Sequence, residues 1–305
     1  SFILSGWYAK PTQKNKHKSM QSSFSVAIPS RDILGESPWW CNKEQVLWRV
    51  DILSKRVFKW DYNTNTQNTW RLKDKVGCFV KTQHKNIALV ALSDGVHLLH
   101  LEENRTEHLA PLEEAQTNNL FNDGKCDRAG NFWFGSKHEE DKKPTGSLYR
   151  LDKYGKVIKL LDGVMTSNGI GWSPDNATIY YTDSGKKRIY SLAFDGEKIT
   201  NQQIFAEDAD CAPDGLTVDS EGGVWSAKWD GSRVVRYTPD KKVDITLDLP
   251  VSRPTSLIFG GPELTKLFIT SASHDRTKES MAGHVFVYDS PIQGIAEVPY
   301  FYNGI

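Results

Sequence analysis

One complete unit of a repeat stands in residues 213–237, PDGLTVDSEGGVWSAKWDGSRVVRY. It begins with the polar triplet Pro213-Asp214-Gly215 and continues through a short apolar run to a turn. A second apolar run is centred on Trp225, and the turn Trp229-Asp230-Gly231 leads to a third run. Short runs rich in β-branched and aromatic residues, separated by turn residues, are typical of β-strands. The stretch therefore predicts a sheet of short consecutive strands.

The same unit recurs along the chain. Six apolar runs are centred on Trp48, Leu89, Trp133, Tyr180, Trp225 and Phe268, at spacings of 41, 44, 47, 45 and 43 residues. A period of roughly 45 residues with several short strands in each unit is the signature of propeller blades. Six units fill the chain, so the sequence predicts an all-β fold, a single six-bladed β-propeller domain over residues 24–305.

Two stretches fall outside this pattern. Residues 1–23 begin apolar and turn basic and polar after Ala9, and the apolar part is too short to span a membrane. We interpret residues 1–23 as a flexible N-terminal arm or as residues added for expression. Residues 101–117 contain helix formers but are interrupted by Pro111. We expect them to connect the second and third blades.

Composition limits the possible partners and compartments. Lys plus Arg number 38 and Asp plus Glu number 38, so no broad field attracts nucleic acid or an acidic membrane surface. No apolar run approaches the ~20 residues of a membrane-spanning helix. The four cysteines, Cys41, Cys78, Cys126 and Cys211, lack paired spacing and clustered His partners, which favours reduced thiols over disulfides or a zinc site. These features predict a cytoplasmic protein, monomeric or a small homo-oligomer, that binds neither nucleic acid nor membranes.

Polar residues recur at one phase of the repeat. Four short stretches carry them: Gly35-Glu36-Ser37-Pro38, Asn122-Asp123-Gly124, Ser167-Asn168-Gly169 and Pro213-Asp214-Gly215. Glu36, Asn122, Asn168 and Asp214 precede the large residue of their unit by 12, 11, 12 and 11 residues. The first strand of each blade lines the channel of a propeller. We therefore expect these four side chains to converge at one end of the channel.

Two carboxylates and two amides that converge in a channel require a positive charge between them. A divalent cation supplies it, and oxygen ligands suit Ca²⁺, Mg²⁺ or Mn²⁺, while Zn²⁺ also accepts carboxylates. Three or four protein ligands leave positions for water and a substrate oxygen, an arrangement that polarises a carbonyl. For Asp123 we favour orientation of a neighbour or of a substrate hydroxyl. The alternative is that Asn-Gly and Asp-Gly are only turn dipeptides, but their shared phase argues for function.

Five ordered motifs carry a resemblance to a known family. They are Gly35-Glu36-Ser37-Pro38-x-Trp40, Phe121-Asn122-Asp123-Gly124-Lys125, Ser167-Asn168-Gly169, Pro213-Asp214-Gly215 and Arg253-Pro254-Thr255-Ser256. The sequence resembles the SMP-30/gluconolactonase family, which includes regucalcin-type lactonases and luciferin-regenerating enzymes. The resemblance implies a six-bladed propeller with one divalent metal in its channel. It implies Glu36, Asn168 and Asp214 as metal ligands, Asn122 and Asp123 as contacts to substrate and metal-associated water, and Asp214 as general base.

One position departs from the family pattern. Vertebrate sugar lactonases of the family carry Arg two residues before the Asn of Asn-Asp-Gly, and this chain has Leu120. A cationic group that would bind substrate is therefore missing at that place. Arg253 and Lys228 are the candidates to replace it.

The leading hypothesis is a metal-dependent hydrolase that opens a lactone ring, with an aldonolactone as substrate. The first alternative keeps the site and changes the substrate to an organophosphate or aryl ester, because Leu120 makes the pocket less polar. The second is a non-catalytic calcium-binding or protein-binding propeller, since a fold does not determine activity.

Overall fold

The computed structural model describes residues 24–111 and 118–304. These residues form six antiparallel sheets of four strands each. The strands are Phe24–Ile28 (β1), Gly35–Cys41 (β2), Val46–Asp51 (β3), Arg56–Asp61 (β4), Gln67–Arg71 (β5), Val76–Lys81 (β6), Ile87–Leu92 (β7), Gly95–His100 (β8), Arg105–Pro111 (β9), Asn119–Cys126 (β10), Phe132–His138 (β11), Gly146–Leu151 (β12), Val157–Val164 (β13), Ser167–Trp172 (β14), Ile179–Asp183 (β15), Arg188–Phe194 (β16), Ile199–Glu207 (β17), Ala212–Val218 (β18), Val224–Trp229 (β19), Arg233–Tyr237 (β20), Val243–Asp248 (β21), Pro254–Gly260 (β22), Lys266–Ser271 (β23) and Val285–Asp289 (β24). The predicted six-bladed β-propeller is confirmed. The proposed arm, residues 1–23, lies outside the described residues.

The blades are arranged around a channel. The first strands of the six blades, β2, β6, β10, β14, β18 and β22, contact one another in order, and β2 meets β22 to close the ring. The sixth blade is completed from the other end of the chain, because β1 pairs with β24 as its outermost strand. This closure joins residues about 260 positions apart and fixes the two ends of the domain to each other.

The six predicted central residues all lie in second strands and are buried. Trp225, Leu89 and Phe268 have no exposed surface, and Tyr180 is the most exposed of the six at 5%. Their side chains fill the space between neighbouring sheets, as the contacts of Trp48 with Phe79 and of Trp225 with Phe259 illustrate. The spacing of these residues in the sequence is therefore the spacing of the blades.

Residues 101–117 correct one expectation. Residues 105–111 are not a connection between blades but the strand β9, which pairs with β8 and completes the second blade. Residues 105–108 are polar, and three of them, Arg105, Glu107 and His108, are exposed, so β9 lacks the apolar run that identifies inner strands. Pro111 is compatible with this position because β9 is an edge strand. Residues 112–117 lie outside the described part of the chain.

Helix is nearly absent from the described ranges, which contain a single 3₁₀ turn, Ser184–Lys186. Within these ranges no helix has the length and apolar character needed to cross a membrane.

Buried hydrogen bonds hold the turn between the first and second strands of the fifth blade. The Oδ1 atom of Asp219 accepts the N–H groups of Glu221 at 3.0 Å and Gly223 at 2.8 Å. Its Oδ2 atom accepts the indole N–H of Trp225 and the Nε–H of Arg236, both at 2.7 Å. One carboxylate therefore connects the turn, the large central residue and the third strand.

We expect Asp219→Ala to lower the free energy of unfolding by about 3–5 kcal/mol, because it leaves the buried guanidinium of Arg236 without its main partner. Urea denaturation of the variant and parent measures the difference. Asp240→Ala, a change at an exposed turn of the same blade, is the control and should cost less than about 1 kcal/mol. Equal stability of the two variants would contradict this role of Asp219.

The segment after β24 covers the end of the channel opposite the polar stretches. The N–H of Tyr300 donates to the carbonyl of Lys81 at the end of β6 (2.8 Å), and the N–H of Phe301 donates to that of Gly130 in the turn after β10 (3.0 Å). Tyr300 is fully buried. Entry to the channel for a small molecule is therefore favoured from the polar end.

Candidate active site

The inner strands are irregular where they carry the polar stretches. In β10, Phe121 and Gly124 both pair with residues of β11, but Asn122 and Asp123 between them are left out of the ladder. The corresponding steps are Glu36 to Trp39 in β2, Val76 to Cys78 in β6, Ser167 to Ile170 in β14, Pro213 to Leu216 in β18 and Pro254 to Leu257 in β22. A bulge locally disrupts the ladder and re-aims side chains. All six bulges lie at the same end of the channel, where the site residues are found.

Four of the five predicted residues lie in the wall of one cavity. Glu36, Asn122, Asn168 and Asp214 come from four different blades and line a cavity of about 370 Å³. Its apolar wall includes Leu34, Ile52, Leu53, Leu120 and Trp229. This size and mixed lining suit a small molecule that has both polar and apolar faces.

Asp123 lies close to this group without lining the cavity. Its Oδ1 atom accepts the N–H of Gly124 at 2.8 Å. Burial raises the pKa of Asp123 to about 6, while the positive charge of Lys125 acts in the opposite direction. Its negative charge raises the pKa values of both Glu36 and Asp214. Direct contact between Asp123 and substrate stays a prediction.

The carboxyl groups of Glu36 and Asp214 are both buried. Burial is the main cause that raises the pKa of Glu36 well above its usual range, and the charges of Asp214 and Asp123 raise it further. Burial also raises the pKa of Asp214, followed by the charge of Asp123, and Lys137 opposes the change. The protein therefore does not place enough positive charge beside these two carboxyl groups to offset their burial and mutual repulsion. A bound cation would supply the missing charge.

Two particular oxygen atoms in the cavity wall, one of Asn168 and one of Asp214, accept no hydrogen bond from the described residues. The amide of Asn168 is held by donation from Nδ2 to the Ser184 hydroxyl at 2.9 Å, and that hydroxyl donates to the carbonyl of Pro213 at 2.6 Å. Oδ1 of Asn168 and Oδ1 of Asp214 are buried and accept no hydrogen bond from the described residues. Buried oxygens normally have a partner. The residues present therefore fit an oxygen-ligated cation such as Ca²⁺, Mg²⁺ or Mn²⁺.

Neighbouring blades fix the remaining site residues. The Nδ2 group of Asn122 donates to the carbonyl of Ser167 at 2.8 Å, so the inner strand of the next blade sets its orientation. Oε2 of Glu36 accepts the N–H of Ser37 at 3.0 Å. The Ser37 hydroxyl in turn accepts the N–H of Phe79 in the second blade, also at 3.0 Å. Each side chain is thus held by an inner strand and not by a mobile loop.

At the level of the candidate site along the channel, contacts of the second and sixth blades hold neighbouring inner strands together. A Cβ atom on Gly77 would lie 2.2 Å from the carbonyl oxygen of Phe121, so only glycine allows β6 and β10 to approach this closely. In the sixth blade the Thr255 hydroxyl donates to the carbonyl of Gly35 and contacts the Thr270 hydroxyl. These contacts close the ring beside Glu36.

Lys75 and Lys137 are cationic residues of the cavity wall that the sequence did not reveal. Lys137 is on the second strand of its blade, β11. It lies directly across the strand pair from Leu120 and lines the same cavity. Its Nζ atom is 2.6 Å from Oδ2 of Asp141, which also lines the cavity. The position of a side chain on the neighbouring strand depends on pairing register, and the sequence alone gave no signal for it.

The two residues considered as replacements for the missing arginine lie elsewhere. Lys228 is buried and its Nζ atom is 2.6 Å from Oδ2 of Asp208. Arg253 pairs with Asp230 and packs over the ring of Trp229. Neither Lys228 nor Arg253 lines the cavity, so the suggestion that they replace the arginine is wrong.

The cysteines are not nucleophiles of this site. All four are free thiols. Burial raises the pKa values of Cys78 and Cys126 well above the usual thiol range. A buried thiol that resists ionisation is a packing residue.

Comparisons with known proteins agree with the fold and the motifs. A family model described as SMP-30/Gluconolactonase/LRE-like region matches residues 34–273. The chain is 34% identical over 287 residues to a 6-deoxy-6-sulfogluconolactonase of Pseudomonas putida, covering 91% of this chain and 98% of that protein. It is 31% identical over 283 residues to an L-arabinolactonase of Azospirillum brasilense, covering 89% and 93%. Its fold superposes on a calcium-binding protein, regucalcin, of Agrobacterium tumefaciens with a TM-score of 0.86 at 25% identity, covering 92% and 97%.

Proposed function

The chain belongs to the SMP-30/gluconolactonase/LRE-like family, and on that premise we propose that it is a divalent-metal-dependent lactonase. Relatives that match nearly the whole chain are named for the hydrolysis of sugar lactones. The cavity and its charged residues are consistent with an aldonolactone as substrate.

The unpartnered oxygens of Asn168 and Asp214 carry the proposal. Together with the Glu36 carboxylate they would hold the cation at the polar end of the channel. When bound, the cation supplies Lewis-acid polarisation of a carbonyl and charge compensation for the two carboxylates. Calcium is one candidate, since a structural relative is described as a calcium-binding protein.

The protein side chains would bind the lactone and activate water. Asp214 accepts a proton from the water that attacks the carbonyl carbon, for which it must lie within about 3 Å of that water or act through one more. The bond between this carbon and the ring oxygen then breaks, and the proton held by Asp214 passes to the ring oxygen, directly or through water, to give a hydroxy acid. Asn122 and Lys137 hydrogen-bond the substrate oxygens, and Asp123 supports the arrangement from behind the cavity wall.

Leu120 and Lys137 give the pocket its own selectivity. The apolar side chain of Leu120 packs beside a lysine whose ammonium group reaches the cavity from the neighbouring strand. A cation here would favour a lactone with an oxygen-rich or anionic substituent, such as the sulfonate implied by the name of one relative. The same charge gives no advantage to a neutral aryl ester.

We expect chelation of divalent metals to abolish lactone hydrolysis and re-addition of individual cations to restore it. The measurement is a panel of sugar lactones, an aryl ester and a phosphotriester, assayed after metal removal and after addition of Ca²⁺, Mg²⁺, Mn²⁺ or Zn²⁺. Full activity of a preparation shown by elemental analysis to be free of metal would contradict the metal requirement. Preference for the aryl ester or the phosphotriester would contradict the proposed substrate class.

A further inference from the structure

A second cluster of metal-ligating side chains lies in the second blade, outside the channel. Asp94 lies in the turn between β7 and β8, His97 in β8, and His108 in β9. One potential ligand atom from each lies within 4.8 Å of the others, and within the described ranges no other His, Cys, Asp and Glu side chains form such a group. The cluster belongs neither to the cavity nor to the residues proposed for catalysis.

Pairing of the strands fixes the geometry of the cluster. His97 and His108 are direct partners across the β8–β9 pair, and their ring centroids are 4.7 Å apart. Nε2 of His97 is 2.7 Å from Oδ1 of Asp94. All three side chains therefore project from the same face of one hairpin and its neighbouring strand. The three potential ligand atoms are therefore near enough to one another to share one ion.

Burial and exposure of the cluster also fit a ligand. His97 is 8% exposed, and its Nε2 atom is the ring nitrogen that lies beside Asp94. Asp94 and His108 are exposed, so solvent reaches the other side of the cluster. The group thus combines a fixed inner ligand with an accessible outer side through which an ion can enter.

We propose that Asp94, His97 and His108 form a second metal site that binds Zn²⁺ or another cation that prefers imidazole. Two imidazole nitrogens and one carboxylate oxygen are a frequent set for zinc, with a fourth position open to water. Calcium prefers an all-oxygen set of ligands. The two sites therefore differ in the ion that each selects, and this site does not depend on the proposed lactonase activity.

A zinc titration in the presence of calcium tests this site. The full chain, without an affinity tag, is stripped of metal, saturated with Ca²⁺ to occupy the oxygen-rich channel, and titrated with Zn²⁺ by calorimetry. We expect one equivalent of Zn²⁺ to bind to the parent. Removal of an exposed ligand in His108→Ala or Asp94→Ala should weaken this binding at least about tenfold.

Matched variants separate this site from other histidines and from the channel. His100→Ala removes a histidine of the same strand that pairs with Glu107, and it should bind Zn²⁺ as the parent does. Asp214→Ala alters the channel and should also retain this Zn²⁺ equivalent. Co²⁺ should give a visible absorption spectrum that is lost in His108→Ala and kept in His100→Ala. The proposal is overturned if the parent takes up no Zn²⁺, if His108→Ala binds like the parent, or if Asp214→Ala abolishes the binding.

Discussion

Replacement of Asp214 by Ala should reduce kcat/KM for lactone hydrolysis by at least about 10³-fold and abolish tight binding of divalent metal. The residue is expected to have two roles, because its carboxylate lies in the cavity wall with one oxygen unpartnered and beside the buried Glu36. Loss of the carboxylate removes a metal ligand and the base for water activation together. Calorimetry with Ca²⁺ or Mn²⁺ and a pH-stat assay of lactone opening measure the two effects separately.

Two further variants make the Asp214 test specific. Asp214→Asn keeps the shape of the side chain and removes its charge, so a similar loss of activity in a folded protein assigns the effect to the charge. Asp248→Ala removes an exposed carboxylate from the outer strand β21 of the same blade and should leave activity and metal binding unchanged. If Asp214→Ala hydrolyses lactones at the rate of the parent, the proposed mechanism is wrong.

Replacement of Lys137 by Met should raise KM for sugar lactones by about 10- to 100-fold with a smaller effect on kcat. The expected size follows from the loss of a hydrogen bond to a charged group, about 1.5–3 kcal/mol. A change mainly in KM is expected because, in the proposed binding role, the ammonium group would contact substrate in both the ground state and the transition state. Steady-state kinetics with a neutral lactone and with one carrying an anionic substituent measure it, and the anionic one should be affected more.

A second substitution tests where the positive charge has to be. Leu120 lies directly opposite Lys137 on the neighbouring strand. Leu120→Arg in the Lys137→Met background should therefore restore part of the lost affinity. Lys266→Met, which removes a lysine paired with Asp289 far from the cavity, is the control. An unchanged KM for every lactone in Lys137→Met would show that this lysine does not bind substrate.

The features that the sequence predicted correctly are those encoded by residues that recur in short, repeated segments. The large residue of each second strand recurs at the blade spacing because each blade must bury one there, as Trp225 and Phe268 show. The polar positions Asn168 and Asp214 recur at a fixed distance before it because they occupy equivalent bulges. Local periodicity therefore contained both the fold and the convergence of these polar positions on one cavity.

The features that the sequence did not reveal depend on pairing between distant or polar segments. Strand β1 belongs to the sixth blade only through its contact with β24, and no local pattern identifies that partner. Strand β9 is polar because it forms an exposed edge, so it lacks an apolar run. Lys137 reaches the site through the register of β11 against β10. Each of these requires knowledge of which strands are neighbours.

The bulges of the inner strands separate the stability of the domain from its choice of ligand. The backbone ladders pass over Asn122, Asn168 and Asp214, so these residues hold no cross-strand pair in register. Exchange of their side chains removes the bonds of Asn122 to Ser167 and of Asn168 to Ser184, but no cross-strand pair of a ladder. Evolution can therefore change the chemistry of such a protein by single replacements at these positions, while the strand pairing of the propeller stays the same.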